Sequence, residues 1–234
     1  MSVTRDTPLR PQIEYPESDG KPLGETDAHR REILEIIAML EQYFADHADV
    51  YISGNLMFYY EEGNPGAVVS PDVFVVKGVP KRLRRTYKLW EEQHAPQVVF
   101  ESSSRSTRLE DKGNKRVLYA MMGVREYFLF DPLSEYLKPP LQGFRLMGEE
   151  YIAIDQTEDG SLISQELGLR MFKDDTFLRL IDIATEQHLL RPLQLVEARR
   201  AEAEARRAAE ERARTAEEEV ARLRAELARL RGEQ

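Results

Sequence analysis

The chain has no cysteine among its 234 residues, which excludes a disulfide framework, thiolate zinc sites and cysteine nucleophiles. Its four histidines, His29, His47, His94 and His188, are scattered and lack the paired spacing of a metal-binding motif. Any metal is therefore expected to be a hard cation held by carboxylates. No apolar run approaches the length of a membrane span, and Met1 to Pro16 is polar and proline-spaced, without the apolar stretch of a secretory signal. These absences predict no membrane association and a cytoplasmic location. Phosphate-cradling loops are missing too: neither Gly-x-x-x-x-Gly-Lys nor Gly-x-Gly-x-x-Gly occurs. Ser102, Ser103 and Ser104 lack the Gly-x-Ser-x-Gly nucleophile elbow.

What remains is a chain with enough apolar residues for a core, 41%, and a net charge of -9 that is unevenly placed. Glu197 to Glu233 holds ten Glu and ten Arg with no Lys, so this stretch is neutral and the acidic excess belongs to the first 196 residues. Within that part Lys77, Lys81, Arg82, Arg84, Arg85 and Lys88 fall in twelve residues with no acid among them. Arg105, Arg108, Lys112, Lys115 and Arg116 form a second basic group. Length and composition give three segments: an N-terminal arm over 1–25, a folded domain over 26–192 and a charged helical tail over 193–234.

Apolar residues recur at three and four between Thr26 and Asp46, which predicts an amphipathic helix. Short β-rich runs follow at 50–53, 56–60 and 68–76, punctuated by Gly54-Asn55 and Gly63-Asn64-Pro65-Gly66. Strands are expected at 97–103 and 126–130, and a hairpin at 144–154. A helix is expected over 106–122, opened by a Thr107/Glu110 capping box and closed by Gly123. Spacing over 175–190 also reads as helical. In the tail, Ala209, Ala213, Ala216, Val220, Leu223, Leu227 and Leu230 step by four and three, the seam of a coiled coil, which predicts association with a second copy or with a helical partner.

The chemistry-bearing feature is a pair of acids in otherwise apolar strands. Asp72 precedes Val73-Phe74-Val75-Val76, and Glu101 follows Val98-Val99-Phe100. A carboxylate so placed is costly to bury unless it is paired or bound to a metal. The helix after the second strand returns antiparallel to it, so rise per residue selects a lysine. Glu101 lies roughly 10 Å back along the strand from Ser104, and Lys115 roughly 12 Å back along the helix from Thr107. Lys115 thus comes level with Glu101, beside a helix face expected to bury Val117, Leu118 and Met121, whereas Lys112 returns only about 7 Å.

The run Ser70-Pro71-Asp72-Val73, then Ala95-Pro96 leading to Glu101, then Ser106-Thr107, Asp111-x-x-x-Lys115-x-x-x-Tyr119 and Gly123-Val124-Arg125-Glu126-Tyr127-Phe128-Leu129-Phe130-Asp131-Pro132 resembles the Uma-type family of putative restriction endonucleases. That family lies within the PD-(D/E)XK nuclease superfamily, and the likeness covers roughly residues 10–190. It implies an α/β fold: a restriction-endonuclease-like mixed β-sheet core flanked by helices, here with the C-terminal coiled-coil tail added. In the superfamily pattern the lysine sits two residues after the second acid, where this chain has Ser103. The family moves it to the following helix, which also selects Lys115. Phe128 stands where the family commonly has Trp.

The resemblance further implies divalent-metal-dependent hydrolysis of DNA. Asp72 and Glu101 would hold Mg2+ or Mn2+ with a backbone carbonyl near Ser102 or Ser103, Lys115 would act on the attacking water, and the basic segments would meet phosphates. A glutamate of the first helix, Glu32 or Glu35, is a further candidate, with nothing in the sequence to choose between them. The alternative expectation is a catalytically silent module of the same fold that works through its tail.

Overall fold

A computed structural model describes residues 13–18, 26–103 and 113–232. The first helix, α1 (Asp27–Tyr43), starts where Thr26 caps it: the threonine hydroxyl accepts from the His29 backbone N–H. Its apolar stripe, Ile33, Ile36, Met39 and Leu40, is buried. The strands and helices that follow are β1 (Val50–Ser53), β2 (Phe58–Tyr59), β3 (Val68–Val69), β4 (Val73–Lys77), β5 (Tyr87–Lys88), α2 (Leu89–Glu92), β6 (Val98–Ser102), α3 (Asn114–Met121), β7 (Glu126–Phe130), β8 (Leu141–Met147), β9 (Glu150–Ala153), β10 (Leu162–Ser164), β11 (Leu169–Asp174), β12 (Phe177–Asp182) and α4 (Pro192–Gly232).

The main sheet has six strands in the order β1-β4-β6-β7-β8-β9. It is mixed because β6 and β7 run parallel, joined by the crossover that contains α3, while the other neighbours are antiparallel. Alternation along its apolar strands divides the interior in two. Val73, Val75, Val98 and Phe100 face α1 and the β10-β11-β12 sheet. Phe74, Val76, Val99 and Leu129 face the other way, among Tyr87, Tyr119 and Tyr127. Near-continuous burial of β4, β6 and β7 is what a central sheet covered on both faces requires.

Three sequence expectations change. The stretch 175–190 is not a helix. Its first part is β12, opened by a turn in which Asp175 takes φ 54°, and Ile181 then bridges His188. Phe177, Leu178, Leu180 and Ile181 satisfy a helical spacing, but pairing with β11 buries Leu178 and Leu180 on one face at period two, and that tertiary contact decides. The run 68–76 splits between two sheets: β3 pairs with β2, whereas β4 joins the main sheet after Ser70-Pro71-Asp72. The buried side of α3 is carried by Tyr119, while Val117 and Met121, expected to be buried, are 62% and 80% exposed. The expected Thr107/Glu110 capping box and Lys112 lie outside the described residues.

By contact density the chain divides into residues 1–189 and 190–234. The second unit carries the single 41-residue helix α4, whose described side chains from Val196 onward are solvent-exposed. Among the described residues, no helix is long and apolar enough to cross a membrane.

Candidate active site

The β4–β6 ladder ends with Val73 opposite Phe100, and Asp72 and Glu101 are the next residues of the two segments, Asp72 in the bend that precedes β4. Two carboxylates brought near each other repel, and the surrounding groups answer that repulsion. Asp72 Oδ2 accepts the Ser102 backbone N–H at 2.8 Å and lies 3.2 Å from His29 Nε2. Glu101 is 1% exposed; its Oε1 accepts the Tyr119 hydroxyl at 2.5 Å, and its Oε2 accepts from Lys115 Nζ at 3.0 Å.

Local structure explains each placement. Lys115 and Tyr119 are four apart on α3, hence on one face of it, and both reach the same carboxylate. Burial, and next the negative charge of Glu101, hold the Tyr119 phenol well above its usual range, so it stays a proton donor. Ser103, two residues beyond Glu101, presents a short side chain on the strand continuation. The approach of β1 to Asp72 depends on Gly54, where a Cβ would come within 2.1 Å of the Asp72 carbonyl oxygen. Asp131, at the end of β7, is committed to its own turn: Oδ2 accepts from the backbone of Tyr136 and Leu137.

Sequence reasoning missed His29. It has no histidine neighbour in sequence, yet the first turn of α1 brings it to Asp72, 43 residues away. The two first-helix glutamates are now distinguished. Glu32, 1% exposed, accepts the Leu178 backbone N–H at 2.7 Å, and Glu35 pairs with Arg31 at 3.1 Å. The α1 side chain in contact with Asp72 is the histidine.

The first basic segment is engaged by the protein itself. Lys77 donates to the Glu166 carbonyl, Lys81 to the Phe44 and Ala45 carbonyls, Arg82 and Arg84 both pair with Glu92, Arg85 with Glu17, and Lys88 with Glu91. The guanidinium of Arg84 also lies 4.1 Å from the Tyr51 ring centre, and it holds the Glu92 carboxyl below its usual range. Lys77 leaves β4 at the end away from Asp72, so the loop that follows starts on the far side of the sheet from the acids. Of the second basic group, Arg105, Arg108 and Lys112 lie outside the described residues.

A divalent cation can be tested against these donors. Two neighbouring carboxylates offer hard oxygen ligands, and among the described residues the buried hydroxyls of Ser102 and Ser103 next to Glu101 have no hydrogen-bond partner. Among the described residues no cluster of three or more His, Cys, Asp or Glu side chains exists. Mg2+ tolerates that arrangement, because it keeps several waters and binds through one or two carboxylates. The residues present fit such an ion.

A mixed sheet flanked by helices is an α/β fold. The family model Uma2, described as "Putative restriction endonuclease", matches residues 7–180, and the chain belongs to that family of nuclease-type proteins. Among solved structures, the crystal structure of a putative nuclease belonging to DUF820 from Anabaena variabilis is similar over 64% of this chain and 81% of its own, with 14% sequence identity and a TM-score of 0.46. No curated protein matches the chain.

Proposed function

We propose that the chain is a divalent-metal-dependent endonuclease that hydrolyses DNA phosphodiester bonds, with Asp72, Glu101 and Lys115 as its catalytic residues. The observation that carries this reading is the placement of Asp72 and Glu101 at the end of the β4–β6 ladder, with Asp72 on the Ser102 N–H and Lys115 Nζ on Glu101. Asp72 and Glu101 would hold Mg2+ or Mn2+; when bound, the ion supplies charge stabilisation at the phosphoryl oxygens and a more acidic bound water. Lys115, already oriented by Glu101, would steady the attacking water and neutralise charge developing on the phosphate. Tyr119 fixes the Glu101 carboxylate by donating to one of its oxygens, and the His29 ring with the Ser102 N–H fixes that of Asp72.

The test is plasmid cleavage by the full chain with Mg2+, Mn2+ or EDTA, together with calorimetric titration of Mn2+. Wild type should cleave and EDTA should stop it, whereas Asp72→Ala and Glu101→Ala should lose both cleavage and Mn2+ binding. Wild-type metal binding in both variants overturns the site.

A second reading has its own support: the cations of the 77–88 segment are paired within the protein, which leaves few free for phosphate. On that reading the domain is a silent module and the tail, joining a second copy or a helical partner, does the work. Intact wild-type protein that neither cleaves nor binds Mn2+ would favour it.

A further inference from the structure

Along α4 the seam residues Val220, Leu223 and Leu227 are 45%, 47% and 54% exposed, large apolar side chains in a stretch rich in Ala, Arg and Glu. The flanks of that seam say what covers it. Setting Val220 and Leu227 at heptad position a and Leu223 and Leu230 at d makes Arg212, Glu219 and Glu226 the g residues and Glu217, Arg224 and Arg231 the e residues.

In a parallel, in-register pair each g residue meets the e residue of the next heptad on the other helix. Those meetings are Arg212 with Glu217, Glu219 with Arg224 and Glu226 with Arg231, and all are of opposite sign. An antiparallel pair that stacks the same apolar positions, Leu227 on Leu223 and Val220 on Leu230, would set Glu226 against Glu226 and Arg224 against Arg224. At the Val220–Leu223 layer, a β-branched residue at a with leucine at d further favours two strands; Leu227, the second a residue, adds nothing to that preference. Within one helix the exposed charges already form Arg206–Glu210, Arg214–Glu218 and Glu219–Arg222 pairs, which support a straight rod before association.

The charge pattern points to a second copy of this chain as the occupant, in a parallel, in-register two-stranded coiled coil centred on Val220 to Leu230. Both N-terminal units are then tethered to the same end of the rod, giving one assembly two candidate sites. This deepens the assembly reading of the tail and is independent of whether the domain cleaves DNA.

The test uses the full chain, whose lack of native cysteine makes single-cysteine variants unambiguous. Leu223→Cys under mild oxidation should give a reducible covalent dimer, while Arg214→Cys, on the outer face, should not. In sedimentation the wild type should dimerise with rising concentration. The double variant Glu219→Arg, Glu226→Arg should weaken self-association about 10-fold or more, since it turns opposite-sign pairs into like-sign ones. Mixing it with Arg224→Glu, Arg231→Glu should restore a mixed dimer. A wild type that stays monomeric at about 100 μM, a Leu223→Cys chain that does not cross-link, or association insensitive to charge reversal overturns the proposal. None of these readouts depends on cleavage, so failure here is separable from failure of the nuclease reading.

Discussion

Replacing Lys115 by methionine keeps most of the aliphatic stem and removes the charge 3.0 Å from Glu101 Oε2. At an effective dielectric of about 20, that contact is worth roughly 5 kcal/mol in gross attraction, most of it offset in the wild type by the desolvation of both groups. The variant removes the Lys115 charge from Glu101, which is 1% exposed and stays desolvated. Breaking a buried pair costs about 3–5 kcal/mol, and because the Lys115 side chain is 13% exposed the lower end applies, about 3 kcal/mol. For a domain of this size that lowers Tm by about 6–12 °C.

Urea unfolding followed by the fluorescence of Trp90 measures that deficit within the N-terminal unit, where far-UV dichroism would be dominated by α4. A Lys115→Met chain as stable as wild type at pH 8 would refute the buried ion pair. The same variant should lose cleavage and retain Mn2+ binding.

Two further substitutions separate structure from chemistry. Gly54→Ala should displace the Asp72 backbone, because its Cβ would meet that carbonyl at 2.1 Å; Mn2+ affinity should fall about 10-fold, and an unchanged titration would show that Asp72 is not held by this contact. Glu32→Ala should orphan the buried Leu178 N–H and cost about 2 kcal/mol in urea unfolding, with Mn2+ affinity unchanged; weakened metal binding in a folded variant would instead place Glu32 in the site.

Sequence alone determined the parts whose cause is local. The capped amphipathic helix after Thr26, the strand at 126–130 stopped by Asp131-Pro132, and the left-handed Gly123 after α3 follow from side-chain periodicity and from what proline and glycine permit. Lys115 does meet Glu101, but not by the rise of a helix running from Thr107: α3 starts at Asn114 after a non-helical Gly113, so Lys115 sits in its first turn. The coiled-coil charge pattern is written in the sequence too.

Tertiary structure decided everything that depends on which surfaces meet. The meeting of Asp72 with the Glu101–Ser102 end of β6 depends on the register of segments nearly thirty residues apart, which no spacing along the chain states. His29 reaches Asp72, and Glu32 turns to Leu178 N–H, only because α1 lies across the sheet between β12 and the end of β4. Residues 177–182 fit both a helical and a strand period, and pairing with β11 settles them as strand. The basic run 77–88, which composition alone offers to phosphate, is consumed by Glu17, Glu91, Glu92 and backbone carbonyls that folding brings to it. A side chain's neighbours along the chain set its backbone; its neighbours across the fold set its charge partners, and those partners determine what it can do.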